Sequence, residues 1–217
     1  MATKNRGRSV PDIELDLLAE TFAEQLATGT VTDASASNMA LPPLHSARGQ
    51  PVRIDRCVLI SVTLTDPKAN GLRMHDAYIK DSDLANIVLT GSSLERVEIS
   101  STRLTGAACT EAQLKSVLFR ECNLELAVLR MARLQHCVFE KCNLTDADFY
   151  SADLSGTIFR DCDLSRADLS HAKLAGADIR GCRLDGLRGT PETMDRLLID
   201  PDQAALLITI FGVHVKW

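Results

Sequence analysis

Aromatic residues are scarce in this chain, at 4% of 217 residues, so its core has to be filled with aliphatic and small side chains. No apolar run approaches the roughly 18 residues that a membrane-spanning helix needs, so we expect no membrane association. The basic N-terminal segment MATKNRGRSVPD is not followed by an apolar run, so no secretory signal is expected. Seven cysteines without such a signal indicate reduced thiols in a cytoplasmic protein. The net charge of −5 is small and negative, so it gives no reason to predict direct nucleic-acid binding.

Catalytic and nucleotide-binding motifs are also missing. The chain has no glycine-rich phosphate loop, no H-E-x-x-H and no dinucleotide fingerprint. His75, His136 and His171 fall at outward positions of the repeat described next, and we expect no Asp, Ser or Cys beside them to complete a triad. The sequence therefore predicts no enzyme activity and no cofactor.

What the chain does have is a five-residue period. Every position ending in 4 or 9 from Ile54 to Leu184 is apolar, and 16 of these 27 residues are Leu. The position two residues earlier is mostly Ala, Cys or Val, and the other three are mostly polar. This period matches neither the 3.6 of a helix nor the 2.0 of a long strand. It fits a chain that turns a corner every five residues and sends one large and one small side chain inward each time.

A twenty-residue period lies over the first. Phe119, Phe139 and Phe159 recur at this spacing, and so do the cysteines of the strings FRECNL, FEKCNL, FRDCDL and IRGCRL. Twenty residues are four repeats, so the sequence predicts a four-sided coil in which like residues stack. The 27 repeats give roughly seven coils, and a strand spacing of about 4.8 Å gives a rod about 30–35 Å long. The register is expected to stay unbroken through the weak repeat at Pro67, which we place facing inward, with a local bulge or kink.

The repeats resemble the A(D/N)LXX pattern of the pentapeptide-repeat family, most closely in ADFYS, ADLSG, CDLSR, ADLSH and ADIRG between Ala147 and Gly181. The resemblance implies an all-β solenoid, a right-handed quadrilateral β-helix. It covers residues 52–187. Residues 1–51 are predicted to form an N-terminal helix, from Pro11 to Thr28, and an irregular capping segment from residue 30 onward. Residues 188–217 are predicted to form a C-terminal helical cap and tail, with a helix beginning near Pro201.

In the family, such a C-terminal segment often mediates a two-fold dimer, and the resemblance implies the same here. The alternative is a cap that only covers the last coil. The predicted dimerisation residues are Leu206, Leu207, Ile210, Phe211, Val213, Val215 and Trp217.

The stacked cysteines occupy the small inward position, which other repeats fill with Ala, Val, Ser or Thr. Buried free Cys behaves as a small apolar residue, and zinc sites usually show close pairs such as C-x2-C. We therefore expect core packing and no metal site.

The acidic residues carry the sharpest functional hypothesis. Eight acids oppose four bases between Glu140 and Asp178. The best-studied family members resemble DNA, bind DNA gyrase and protect it from quinolones or toxins, so the resemblance implies a topoisomerase partner. The predicted partner-binding residues are Asp146, Asp148, Asp153, Asp161, Asp163, Asp168 and Asp178, with Asp148 and Asp168 stacked on one face. In a competing interpretation these carboxylates bond corner amides and solubilise the rod, and the protein is a scaffold for another partner.

Overall fold

The computed structural model describes residues 19–45 and 50–210, which form a parallel β-solenoid with a short helix near each end. Strands one coil apart pair in parallel and build four faces. The first face is a six-stranded sheet in the order β1-β4-β7-β9-β11-β13, and the second is a seven-stranded sheet of β2, β5, β8, β10, β12, β14 and β15. β3 and β6 begin the third face. Single bridges continue the third face and build the fourth, which runs from Lys68 to Arg188.

The strands are two or three residues long. In chain order they are β1 (Thr30–Thr32), β2 (Ser35–Ser37), β3 (Ala40–Leu41), β4 (Arg53–Asp55), β5 (Val58–Ile60), β6 (Thr63–Leu64), β7 (Arg73–His75), β8 (Tyr78–Lys80), β9 (Ser93–Glu95), β10 (Glu98–Ser100), β11 (Gln113–Lys115), β12 (Leu118–Arg120), β13 (Arg133–Gln135), β14 (Val138–Glu140) and β15 (Ile158–Arg160).

The five-residue period follows from this geometry. Successive side chains of a strand point to opposite sides, so the central residue faces inward between two outward neighbours. Of the 27 central residues, all are buried except Leu64, which is half-buried. The rings of Phe119, Phe139 and Phe159 stack with centroids 4.7 and 5.0 Å apart. The predicted four-sided β-helix and its stacked core are confirmed.

The corners require a left-handed backbone. Positions ending in 1 or 6 turn the chain with a positive φ, as at Gly106 (+69°) and Asp146 (+56°). This conformation costs an L-residue roughly 1–2 kcal/mol, least for Gly, Asn and Asp. The corner amide donates to a carbonyl one coil further on, as from Asp146 to Ser165 at 3.0 Å. The register stays at twenty through the weak repeat, since Lys68 bridges Val88, but Pro67 is exposed rather than inward.

The segment after the first helix is more regular than the irregular cap that the sequence indicated. β1, β2 and β3 pair with β4, β5 and β6, which lie 23 residues further on. The central residues Val31, Ala36 and Leu41 are buried. Residues 30–41 thus form three sides of an additional coil.

Helices cover both ends. α1 (Ala19–Thr28) buries Phe22 and Leu26 against the first coil and ends at Gly29, as predicted, whereas residues 11–18 of the expected helix lie outside the described residues. At the other end, a 3₁₀ helix (Pro191–Met194) precedes α2 (Pro201–Ile210). The buried Gln203 side chain donates to the carbonyls of Ile179 and Cys182, both at 2.9 Å, and so anchors α2 on the last coil. None of the helices in the described ranges has the length and apolar character of a membrane span.

Candidate functional site

The predicted acidic residues do not share a face. Asp153 lies on the first face, Asp178 on the second and Asp163 on the third. Asp148 and Asp168 do stack on the fourth face, as the sequence indicated. Asp146 and Asp161 occupy left-handed corners. The seven carboxylates therefore surround the rod instead of forming a stripe along it.

Five of them bond their own turn. The carboxylates of the A(D/N)L positions each accept the amide two residues ahead, at 2.9 Å from Ser165 and Ser170 and 3.0–3.2 Å elsewhere. This is the Asx-turn in which a side chain satisfies a backbone donor at a bend. The residues that do so are Asp148, Asp153, Asp163, Asp168 and Asp178. The corner-bonding role in the competing interpretation is thus present in the structure.

Most of these carboxylates are also ion-paired to arginine. On the third face Arg183 lies 3.2 Å from Asp163, and on the fourth Arg188 lies 3.5 Å from Asp168, each one coil away. At the corner Arg166 binds Asp146 with two hydrogen bonds of 2.9 and 2.6 Å, which lowers the pKa of that carboxyl. The remaining two pairs are Asp148 with Arg130 and Asp178 with Arg180. In three of these pairs the Asp and the Arg are twenty residues apart in the sequence. That spacing could have been used to predict the three pairs, because it places the two residues one coil apart.

A longer ladder runs along the corner between the first and second faces. Arg56 binds Asp33 of the preceding coil, and Arg96 binds Asp76 through two hydrogen bonds of 2.6 and 2.8 Å. The Arg96 guanidinium holds the pKa of Asp76 below its ordinary value. Alternating charge along this column thus neutralises the corner.

His75 belongs to this ladder, contrary to the expectation that no Asp lies beside the histidines. Its Nδ1 lies 3.0 Å from Asp55 and 3.0 Å from Asp76, and Arg96 also contacts the ring. The donor atoms of the two carboxylates and the imidazole are close enough together to hold a cation. However, Arg56 and Arg96 already pair with these carboxylates, so we assign the cluster to the ion-pair network.

The fourth face differs from this pattern. Over three successive coils its two outward columns carry one charged residue, Arg130. The other members are small, β-branched or hydroxyl-bearing: Val88, Thr90, Ala108, Thr110 and Val128.

Large apolar side chains are exposed at the edges of this face. Leu126 and Met131 are 54% and 49% exposed. They are the corners at either end of the side that carries Val128. Both occupy left-handed corners, with φ of 59° and 55°, and every other non-glycine residue with positive φ in the described ranges is polar. Sequence reasoning missed them, although apolar residues at corner positions are a visible exception to the repeat.

The next coil adds a fixed aromatic. Tyr150 is 40% exposed, and the Arg130 guanidinium lies over its ring at 5.6 Å from the centroid. The His171 ring meets Tyr150 edge-on at 5.1 Å, and Arg130 is tethered to Asp148 at 2.5 Å. We call Leu126, Val128, Arg130, Met131 and Tyr150 the apolar patch.

The predicted dimerisation residues are described only in part. Leu207 is buried and Leu206 is half-buried, and both pack on the chain's own last coil, as a cap would. The neighbouring Ile208 is 40% exposed. Phe211, Val213, Val215 and Trp217 lie outside the described residues, as does the side chain of Ile210.

All seven cysteines are free and buried, as expected of core residues. Six of the thiols donate to backbone carbonyls, as from Cys122 to Ile99 at 3.3 Å. Burial raises the pKa of Cys57 to about 11 and that of Cys109 to about 12.

Comparison with known proteins gave matches to solved structures. HetL, a pentapeptide repeat protein involved in heterocyst differentiation regulation in the cyanobacterium Nostoc sp. strain PCC 7120, is similar at 20% identity with a TM-score of 0.47, over 78% of this chain and 86% of HetL. A trypsin-treated form of QnrB1, a plasmid-mediated fluoroquinolone resistance protein, is similar at 19% identity with a TM-score of 0.41, over 87% of this chain and 100% of that chain. A search of curated protein sequences found no match.

A family model gives the clearest result. The model for pentapeptide repeats matches eight copies over residues 73–107, 109–146 and 147–186, which is more than half of the chain. Together with the four-sided parallel solenoid, this match shows that the chain belongs to the pentapeptide repeat family.

Proposed function

We propose that this chain is a non-catalytic, cytoplasmic protein-binding module and that the apolar patch on its fourth face is the binding surface. The observation that carries the proposal is the exposure of Leu126 and Met131 at left-handed corners, which polar residues occupy elsewhere in the described ranges. A large apolar side chain gains little there from its own fold, since about half of it is exposed. Burial against a partner accounts for the apolar character of both side chains.

The composition of the patch supports protein recognition. Tyr, Met and Arg are enriched at interface cores, and Tyr and Arg are frequent among residues that dominate binding energy. Arg130 is tied to Asp148 and lies over Tyr150, so these two side chains lose little freedom on binding. The interior of the solenoid, by contrast, is filled in the described ranges by buried apolar side chains.

The more specific hypothesis is a DNA mimic that binds DNA gyrase or another topoisomerase. A duplex presents one negative charge about every 1.7 Å of its axis. Five of the seven predicted acids are instead paired with arginine and distributed over different faces. This arrangement favours the alternative, a scaffold for another protein, and leaves gyrase binding as a second candidate.

Two measurements separate these candidates. A DNA supercoiling assay with purified gyrase, with and without a fluoroquinolone, is expected to show no effect at a large molar excess of the protein. Protection or inhibition that weakens with salt would instead establish the topoisomerase candidate.

The binding surface is tested by capture from the native host with wild-type protein and two matched variants. Leu126→Asp is expected to lose the captured protein, and His136→Asp to retain it. Both positions are exposed left-handed corners, with φ of 59° and 55°, but His136 lies between the first and second faces. Equal capture by both variants would contradict the proposed surface.

A further inference from the structure

We propose that a second copy of this chain binds the fourth face, with the two solenoids antiparallel. This inference rests on the proposed function, because it names the partner at the surface proposed there. The two-fold axis lies in the interface, perpendicular to the solenoid axis, between the coils of Ala108 and Val128. Rotation about this axis places each column of stacked outward residues opposite the same column of the second copy. The coils of the two copies then run in opposite order.

The sizes of several outward residues are self-complementary about this axis, although Met131 comes opposite Glu111. Leu126 comes opposite Gly106 of the second copy and Val128 opposite Ala108. One coil further out, Tyr150 comes opposite Thr90. Large residues lie on the C-terminal half of the face and small ones on the N-terminal half. Stacked β-faces pack about 10 Å apart, and large side chains fit between them when they meet small ones.

The charges at both ends of the interface are complementary as well. Asp168 comes opposite Lys68, and Arg166 comes opposite Asp66. Each pair occurs twice because the interface is isologous. Among the described residues, the side chains of Lys68 and Asp66 form no salt bridge within the chain, although the Asp66 carboxylate accepts the Lys68 amide at 2.9 Å. The charges of Lys68 and Asp66 are therefore available to a partner, whereas Asp168 and Arg166 also pair with Arg188 and Asp146 of their own chain.

The first face matches less well. The equivalent axis there, between the coils of Ser93 and Gln113, brings Glu95 opposite Lys115 but also Arg73 opposite Arg133, a like-charge pair. The middle of the fourth face carries no such repulsion, since Arg130, its one charged residue, comes opposite Thr110. The observations thus favour a second copy over a partner of unrelated sequence.

The test is a charge exchange in the full-length protein, followed by sedimentation equilibrium over a range of concentrations. Wild type is expected to form a concentration-dependent dimer. Asp168→Lys and Lys68→Asp, each alone, are expected to raise the dimer dissociation constant at least about tenfold, because each places two like-charge pairs in the interface. The double variant is expected to return to within about threefold of wild type.

A matched control separates this effect from the loss of an ion pair within the chain. Asp163→Lys on the third face removes an Asp–Arg pair of the same kind, with Arg183 at 3.2 Å and an Asx-turn to Ser165. It is expected to leave dimerisation unchanged.

Three outcomes would overturn the inference. They are a monomeric wild type, single exchanges without effect, and dissociation by Ile208→Asp with no response to the exchanges. The last would place the dimer at the C-terminal helix. If wild type is monomeric but Leu126→Asp still loses a captured protein that His136→Asp retains, the proposed function stands and only this partner assignment fails.

Discussion

The first coil and the phenylalanine coils have the same fold but little sequence in common. Residues 30–41 present Val31, Ala36 and Leu41 as their central residues and pair 23 residues ahead. The coils from Phe119 to Phe159 stack aromatic rings and pair at twenty. The family match begins only at residue 73. This difference indicates that a coil with a poor match to the repeat can still form when it lies next to a regular coil. The free edge of the regular coil supplies the backbone hydrogen-bond partners.

The two regions are therefore expected to respond differently to the same substitution. A solenoid is stabilised by contacts between neighbouring coils, so damage in the middle affects coils on both sides. Damage at an end can be relieved if the terminal coil detaches alone.

Phe139→Asp is expected to have the largest effect. Phe139 is fully buried between Phe119 and Phe159, so the change removes two ring contacts and buries an unpaired carboxylate. We expect a loss of more than about 4 kcal/mol of unfolding free energy, with most of the chain unfolded near body temperature. Circular dichroism during heating measures this. Val138→Asp, which points outward from the same strand, is the control, and an unchanged thermal midpoint for Phe139→Asp would contradict the stacked core.

Val31→Asp is expected to have a smaller and local effect. Val31 is fully buried, so the chemical cost is similar, but the first coil can open without the others. Hydrogen exchange is expected to become fast in residues 30–41 and to stay slow from 119 to 159. Thr30 is exposed on the same strand, so Thr30→Asp should leave the hydrogen-exchange rates of both segments unchanged. Fast exchange throughout the solenoid would mean that the first coil is needed for the whole fold.

The core was predictable because its period is strict. Each coil repeats one large and one small inward residue, so the twenty-residue spacing gave the stacking of Phe119, Phe139 and Phe159 directly. The first coil was not predictable in the same way. Counting back in fives from Ile54 reaches Met39 and Ala34, which are not central residues, because the offset between strands rises to 23 there.

The surface was predictable only in part. The stacking of Asp148 and Asp168 followed from their spacing, but the acidic face did not, since counting acids along a segment ignores which face each one reaches. Arginines placed twenty residues away, such as Arg188 for Asp168, neutralise them. Leu126 and Met131 place apolar side chains at corners that are polar in the other repeats. The average repeat pattern does not predict such departures, so sequence analysis passed over them.

The smallest expected effect concerns the ion-pair ladder that begins in the first coil at Asp33 and continues through Arg56 and Asp76 to Arg96. Arg96→Met is expected to cost roughly 0.2–1 kcal/mol at pH 7, since Arg96 is about half exposed and solvent screens the pair. Arg96 lowers the pKa of Asp76 in the folded state, so its contribution is present above the unfolded pKa of about 3.9 and is lost as the pH falls through the folded value. The thermal midpoints of wild type and variant should therefore begin to converge as the pH falls below about 4. Arg73→Met, at a first-face residue that forms no salt bridge within the described ranges, should show no such pH dependence. A difference between wild type and Arg96→Met that persists at low pH would assign the effect to packing of the arginine side chain instead of its charge.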